Sequence, residues 1–169
     1  MTIDWYKEFV NLGYSPAKDE LVCLFFFVPL SVISHEEAAG PIASESSTGT
    51  WTTLFAMPPR MKKLQATVFE IEGNYTKIAY PLALWEEGNA VQLLSGIAGN
   101  IFGMKALKNL RLIDVSFPEA YIKNFKGPHF GNDGIRKMMN VHHRPFTGAV
   151  PKPKIGFSAK EHADIAYET

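Results

Sequence analysis

The stretch Leu21–Leu30, LVCLFFFVPL, limits what this chain can fold into more than any other part of it. It is unbroken apolar sequence rich in Val and Phe. It is also only about half as long as the ~20 residues a helix needs to cross a bilayer. Such a run reads as a buried central strand, since β-branched and aromatic side chains suit a pleated, covered surface. A central strand needs cover on its faces and partners on its edges. A chain of 169 residues, 46% of them hydrophobic, is long enough for one domain with a substantial core. The one cysteine, Cys23, lies inside the run, which excludes a disulfide framework and predicts a buried thiol.

The remaining elements follow from local signals. Residues 1–19 contain a short helix, DWYKEFVNL, and a turn at Tyr14-Ser-Pro16. Ser34-His-Glu-Glu37 has the form of a capping box and predicts a helix to about Ser47, with a kink where Pro41 removes a backbone donor. TWTTLFA is a short β-prone piece, and LQATVFEIEGNYTKIAYPLAL reads as a hairpin turning at Glu72-Gly-Asn74. EGNAVQLLSGIAGNIFG has helical spacing through Val91, Leu94, Ile97, Ala98 and Ile101, and ends among glycines. ALKNLRLIDVSFP is a further strand and PEAYIKNF a short helix. This order predicts an α+β fold, a mixed or mostly antiparallel sheet with helices on one face. After the Gly/Pro-rich KGPHFGNDG come a helix-like IRKMMNV, a strand in FTGAVPKPKIG and a helix capped by Ser158. That last strand and helix do not extend the preceding sheet, and the helix carries no stop signal.

The balance of 17 basic and 17 acidic residues argues against a broad electrostatic footprint for nucleic acid or an anionic membrane. The N-terminus, MTIDWYKEF, lacks a signal-peptide pattern, so the expected location is the cytoplasm. Four places are candidates for chemistry. Lys152 and Lys154, two apart on a strand, would point the same way; neighbouring ammonium groups lower each other's pKa and favour a base, while the plain reading is a solvated edge strand. Gly99-Asn100-Ile-Phe-Gly103 is either a left-handed helix cap or a segment presenting the Asn100 amide to a ligand. His142, His143 and His129 read as exposed polar residues, because adjacent histidines diverge on either kind of element. The fourth, Ser44–Thr53, SESSTGTWTT, is a helix end with Gly49 at the cap and a strand start, or a binding wall rich in hydroxyls.

Five segments then occur in a telling order: IASESSTGTWTT, KIAYPLALWEEG, AGNIFGMKALKNLRLIDV, FKGPHFG and PKPKIGFSAKEHADIAYE. Together they resemble the large chain of ribulose-1,5-bisphosphate carboxylase/oxygenase (RuBisCO), from about Tyr14 to Thr169. ASESSTGTWTTL and GMKALKNLRL are most similar to the archaeal form III branch, which is tied to nucleotide salvage. The resemblance implies an N-terminal α+β domain over 1–127. Residues 128–169 would be a crossover, the first strand and most of the first helix of a (β/α)8 barrel, whose active sites gather at strand C-termini.

The resemblance also implies roles. Lys152 would move protons during enolisation and product protonation, and Lys154 would bond substrate and tune Lys152. Thr50 and Trp51 would bind one substrate phosphate. Glu45 would pair with a lysine on a mobile loop, and Asn100 would contact substrate near Mg2+. The Mg2+ ligands would lie beyond residue 169, and Glu45 and Asn100 would act across a homodimer interface or on a complete large chain. The implied activity is addition of CO2 or O2 to ribulose 1,5-bisphosphate, with this chain inactive alone. The other readings are a non-catalytic assembly module and one half of a split enzyme.

Overall fold

The computed structural model describes residues 4–49, 58–149 and 156–168. The chain divides into two compact units between Phe125 and Lys126. In the first, a 3-10 helix at Asp4–Phe9 leads to strand β1 (Glu20–Pro29), helix α1 (His35–Glu45), the single turn α2 (Pro59–Lys62) and the hairpin β2 (Thr67–Glu72) and β3 (Tyr75–Pro81). Helix α3 (Ala90–Ile97) follows, then a 3-10 turn at Asn100–Gly103, strand β4 (Leu107–Ser116) and the short α4 (Glu119–Ile122).

Among the described residues these strands form one sheet in the order β2-β3-β1-β4. Every ladder in it is antiparallel, and a lone parallel bridge joins Val10 to Val68. The α+β, mostly antiparallel architecture expected from sequence is what forms. The apolar run is one of the two inner strands, flanked by β3 and β4. Its side chains alternate: Leu21, Cys23, Phe25 and Phe27 are wholly buried, whereas Val22, Leu24, Phe26 and Val28 are half-buried. The buried face meets Ala38, Ala39, Ile42 and Ala43 of α1 in one core with Ile78, Tyr80, Leu93, Ile97 and Ile101. Each large side chain fully withdrawn from water contributes roughly 1.5–3 kcal/mol, so this face accounts for much of what holds the unit together. Burial, with a smaller contribution from Asp114, holds the Cys23 thiol far above its usual range.

The local signals explain how helices and turns begin. Ser34 Oγ accepts from Glu37 N–H at 3.2 Å, and Glu37 Oε2 accepts from Ser34 N–H at 2.8 Å, a complete capping box. Helix α1 runs without interruption through Pro41, which is buried. Gly73 turns the β2–β3 hairpin at a φ of 55°, a conformation that favours glycine. Gly40 meets a different need: a Cβ there would sit 2.7 Å from the Tyr6 carbonyl oxygen, so its absence lets the N-terminal 3-10 helix lie directly on α1.

Helix α3 departs from its expected phase. Leu93, Ile97 and Ile101 are buried, while Val91 and Leu94 are exposed. Gly96 decides this rotation, since a Cβ on it would stand 2.6 Å from the Trp85 ring. The large indole thus fits only against a glycine. Trp85 in turn tilts against Tyr80, with centroids 5.7 Å apart.

The second unit holds α5 (Gly131–Met139) and α6 (Ala159–Glu168), neither with a buried residue. Asn140, at a φ of 53°, ends α5 in a left-handed cap. The Arg136 guanidinium donates to the carbonyls of Val141 and Arg144 and lies 5.1 Å from the Phe146 ring centre, organising the chain after the helix. Ser158 caps α6 as expected, accepting from Glu161 N–H at 3.3 Å. The strand expected in FTGAVPKPKIG does not form over 146–149, where no described segment pairs with it; 150–155 lie outside the described residues, as do 50–57, which include the β-prone TWTTLFA.

Two outcomes follow. Gly96→Ala should destabilise the first unit by about 1–3 kcal/mol, the usual penalty for overpacking, measured by urea unfolding. Glu37 is held below the usual carboxylate range, first by the Ser34 backbone N–H and then by the Ser34 side chain. A depressed folded pKa stabilises above the unfolded pKa, and that contribution is lost as pH falls through the folded one. Glu37→Gln should therefore flatten the fall in melting temperature below about pH 5, in thermal scans across pH.

Candidate functional site

The site is built at the C-terminal end of α1, where hydroxyls bend the chain away from helix. Ser46 Oγ donates to the Ile42 carbonyl at 2.6 Å, and Ser47 Oγ to that of Ala43 at 2.6 Å. Such back-bonding competes with helix continuation, so α1 ends at Glu45 rather than at Ser47. Gly49 N–H then bonds the Ser44 carbonyl at 2.9 Å. The helix cap is Ser46, three residues before the Gly49 expected from sequence. The φ of Gly49 is not positive, and the glycine is required because a Cβ would collide with the Ser44 side chain.

Of the hydroxyl-rich stretch Ser44–Thr53, the described part ends at Gly49, and 50–53 lie outside the described residues. Ser44, Ser46 and Thr48 are buried and turn into the protein, where Ser46 meets the Tyr80 hydroxyl at 2.8 Å. Ser47 is half-buried and accepts from Ala66 N–H at 3.1 Å. These side chains tie the helix end to the sheet. Thr48 Oγ1 and Trp85 Nε1 are buried with no partner among the described residues.

Glu45 is half-buried at the last position of α1, and that turn contains no basic residue. A carboxylate there opposes the negative end of the helix dipole, typically by 0.3–1 kcal/mol. A locally unfavourable charge at a defined place is a mark of a functional position. Burial, and then the Glu45 charge, raise the pKa of Tyr6, which keeps that phenol protonated beside the carboxylate.

Asn100 is exposed and opens the 3-10 turn Asn100–Gly103, an element that packs against α1. The left-handed cap expected there is replaced by a sharp reversal: Ala98 ends α3, and Gly99 passes so close to the Ser95 carbonyl that no side chain fits. Glu45 and Asn100 are thus carried by neighbouring elements. Thr50, Trp51, Lys152 and Lys154 lie outside the described residues.

Among the described residues no three His, Cys, Asp or Glu side chains gather where they could hold a metal ion. Glu45 and Asn100, one carboxylate and one amide, do not by themselves make a Mg2+ site. His129, His142 and His143 are exposed, as expected. A shallow pocket of about 220 Å3 lies at the hairpin, lined by Leu24, Glu70, Glu72, Tyr75, Thr76 and Lys77. It contains none of the candidate residues, and its Glu70–Lys77 pair at 2.7 Å is exposed and worth little.

Sequence reasoning missed the supports of this site. Tyr80 and Trp85 read as ordinary hairpin and loop residues, and Gly96 as an unremarked helix glycine. Only the fold brings all three under Ser46, whose carbonyl lies 3.7 Å from where a Gly96 Cβ would be.

Comparison with known proteins gives the family. Residues 8–121 match the ribulose bisphosphate carboxylase large chain, N-terminal domain. Ribulose bisphosphate carboxylase of Pyrococcus furiosus is 58% identical over 99% of this chain, and that of Archaeoglobus fulgidus 44% identical over 96%. The octameric enzyme of Pyrococcus horikoshii, solved as a complex with sulfate ion, superposes with a TM-score of 0.83 at 56% identity, covering 97% of this chain and 39% of that one. The dimeric archaeal enzyme from Hyperthermus butylicus gives 0.81 at 43% identity, over 96% and 39%. The chain spans 41% of the length of the Pyrococcus furiosus relative and 38% of the Archaeoglobus fulgidus one. It belongs to the ribulose bisphosphate carboxylase large-chain family and corresponds to the N-terminal part of such a chain.

Proposed function

We propose that this chain supplies one side of an active site that adds CO2, or O2, to ribulose 1,5-bisphosphate, the carboxylation giving 3-phosphoglycerate. The observation that carries this reading is Glu45, a half-buried carboxylate at the C-terminal end of α1, on an element packed against the one bearing Asn100. In the reaction Glu45 pairs with a cation that closes over the substrate, and Asn100 donates its amide to a substrate oxygen. Thr50 and Trp51 bind one phosphate; Lys152 takes and returns protons, with Lys154 beside it lowering its pKa. A bisphosphate needs donors at both ends, and a developing enediolate needs nearby cations and proton carriers.

Mg2+ is the implied metal, held by residues outside this chain, and when bound it would stabilise negative charge on substrate oxygens. The boundary proposed at residue 127 lies close to the division between the two compact units, with 128–169 forming the entry to a barrel. A second copy or a complete large chain is the proposed partner, in line with the dimeric and octameric relatives. The proposed setting is the cytoplasm and nucleotide salvage, following the resemblance to the archaeal branch. No described helix is long and apolar enough to cross a membrane.

The test is complementation. The purified chain alone should show no Mg2+-dependent carboxylation of ribulose 1,5-bisphosphate; turnover above background would overturn that part. Mixed with the remaining segment of the Pyrococcus horikoshii enzyme, it should restore activity, and Lys152→Met should lower the restored rate about 100-fold or more. Stable dimers with no restored activity would favour an assembly role instead.

A further inference from the structure

We propose that Tyr80 is a positioning residue for Glu45: acting through Ser46, its phenol fixes the end of α1 on the sheet, so the carboxylate has one direction before any ligand arrives. This rests on the carboxylase reading for its purpose, but its geometry stands alone.

The hydrogen bonds have a definite sense. Ser46 has one hydroxyl proton, and the Ile42 carbonyl at 2.6 Å can only accept it. The Tyr80 hydroxyl, 2.8 Å from Ser46 Oγ, must therefore be the donor, giving a relay from Tyr80 O–H to Ser46 O–H to the Ile42 carbonyl. Tyr80 is completely buried, and burial keeps the phenol protonated, so the donor is permanently available. Tyr80 belongs to β3, whose Ile78, Ala79 and Tyr80 are all buried, and its ring packs on Trp85.

Ser46 directly follows Glu45. The next residue, Ser47, is bound by Ala66 N–H, just ahead of β2. Two consecutive residues after the carboxylate are thus fastened, one to β3 itself and the other to the residue just ahead of β2. A helix end would otherwise fray, and a carboxylate on it would sample many directions. The tether removes that freedom, which is the structural form of preorganisation. Nothing in this arrangement involves Tyr80 touching substrate.

Hydrogen exchange on the 169-residue chain is the first test. Tyr80→Phe keeps the ring and removes only the oxygen. It should speed exchange of the Ser46, Ser47 and Gly49 amides about tenfold or more, with the β1 and β3 amides unchanged. Ser46→Ala should reproduce the pattern; rates at those amides unchanged from the unaltered chain in either variant would overturn the proposal.

The second test grafts this chain onto the remainder of the Pyrococcus horikoshii enzyme, 56% identical over the shared part. Tyr80→Phe and Ser46→Ala should each lower kcat about tenfold or more with KM moved less than about twofold, and the double variant should be no worse than either single one. A lowered melting temperature with kcat unchanged would mean Tyr80 only packs, which also overturns the proposal. An inactive graft of the unaltered sequence would count against the carboxylase reading instead, and the exchange result would then decide on Tyr80.

Discussion

The structure depends on one strand being covered along both edges and on one face. Leu21, Cys23, Phe25 and Phe27 are wholly out of water because β3 and β4 satisfy the β1 backbone while α1 closes over their side chains. Every other element of the first unit is placed by reference to that strand. Gly40 and Gly96 are the points where backbone must come close enough to complete the cover, one against the N-terminal 3-10 helix and one against Trp85. A packed interior has no spare volume, so two missing methyl groups determine where two elements lie.

Much of this was legible in the residues. The composition of β1, the Ser34–Glu37 box and the Gly73-Asn74 turn each act over a few positions, and each formed as expected. What could not be read depended on distant partners. Both faces of β1 are apolar, so nothing within it says that the odd-numbered residues lie beneath α1. The rotation of α3 is set by Trp85, which lies outside the helix. For the same reason the inward turn of Ser44, Ser46 and Thr48 could not be read, since their surroundings, Tyr80 among them, come from distant segments.

The candidate site shows a similar split. Glu45 at a helix C-terminus is visible in sequence as a charge in an unfavourable place, once the helix is known to end there. Its meaning came from the long motifs around it, since a single carboxylate has no chemistry of its own to announce. In the sequence Asn100 stands among glycines that read as caps. Gly99 instead folds the chain tightly against Ser95 and leaves Asn100 exposed beside α1. The parts that hold Glu45 still, Tyr80 and Ala66, belong to segments separated from it by the α2 turn, so no local pattern could connect them.

The burial of Cys23 has a consequence for how the chain meets its chemical surroundings. Thiols react with oxidants and alkylating agents as thiolates, and this one is both sealed from solvent and held in the neutral form. The folded protein is therefore inert at its one thiol, and modification there can begin only in molecules whose β1 has come loose from its neighbours. Any modified Cys23 found in a population would be a record of opening events, a chemical memory of how often the sheet has come apart.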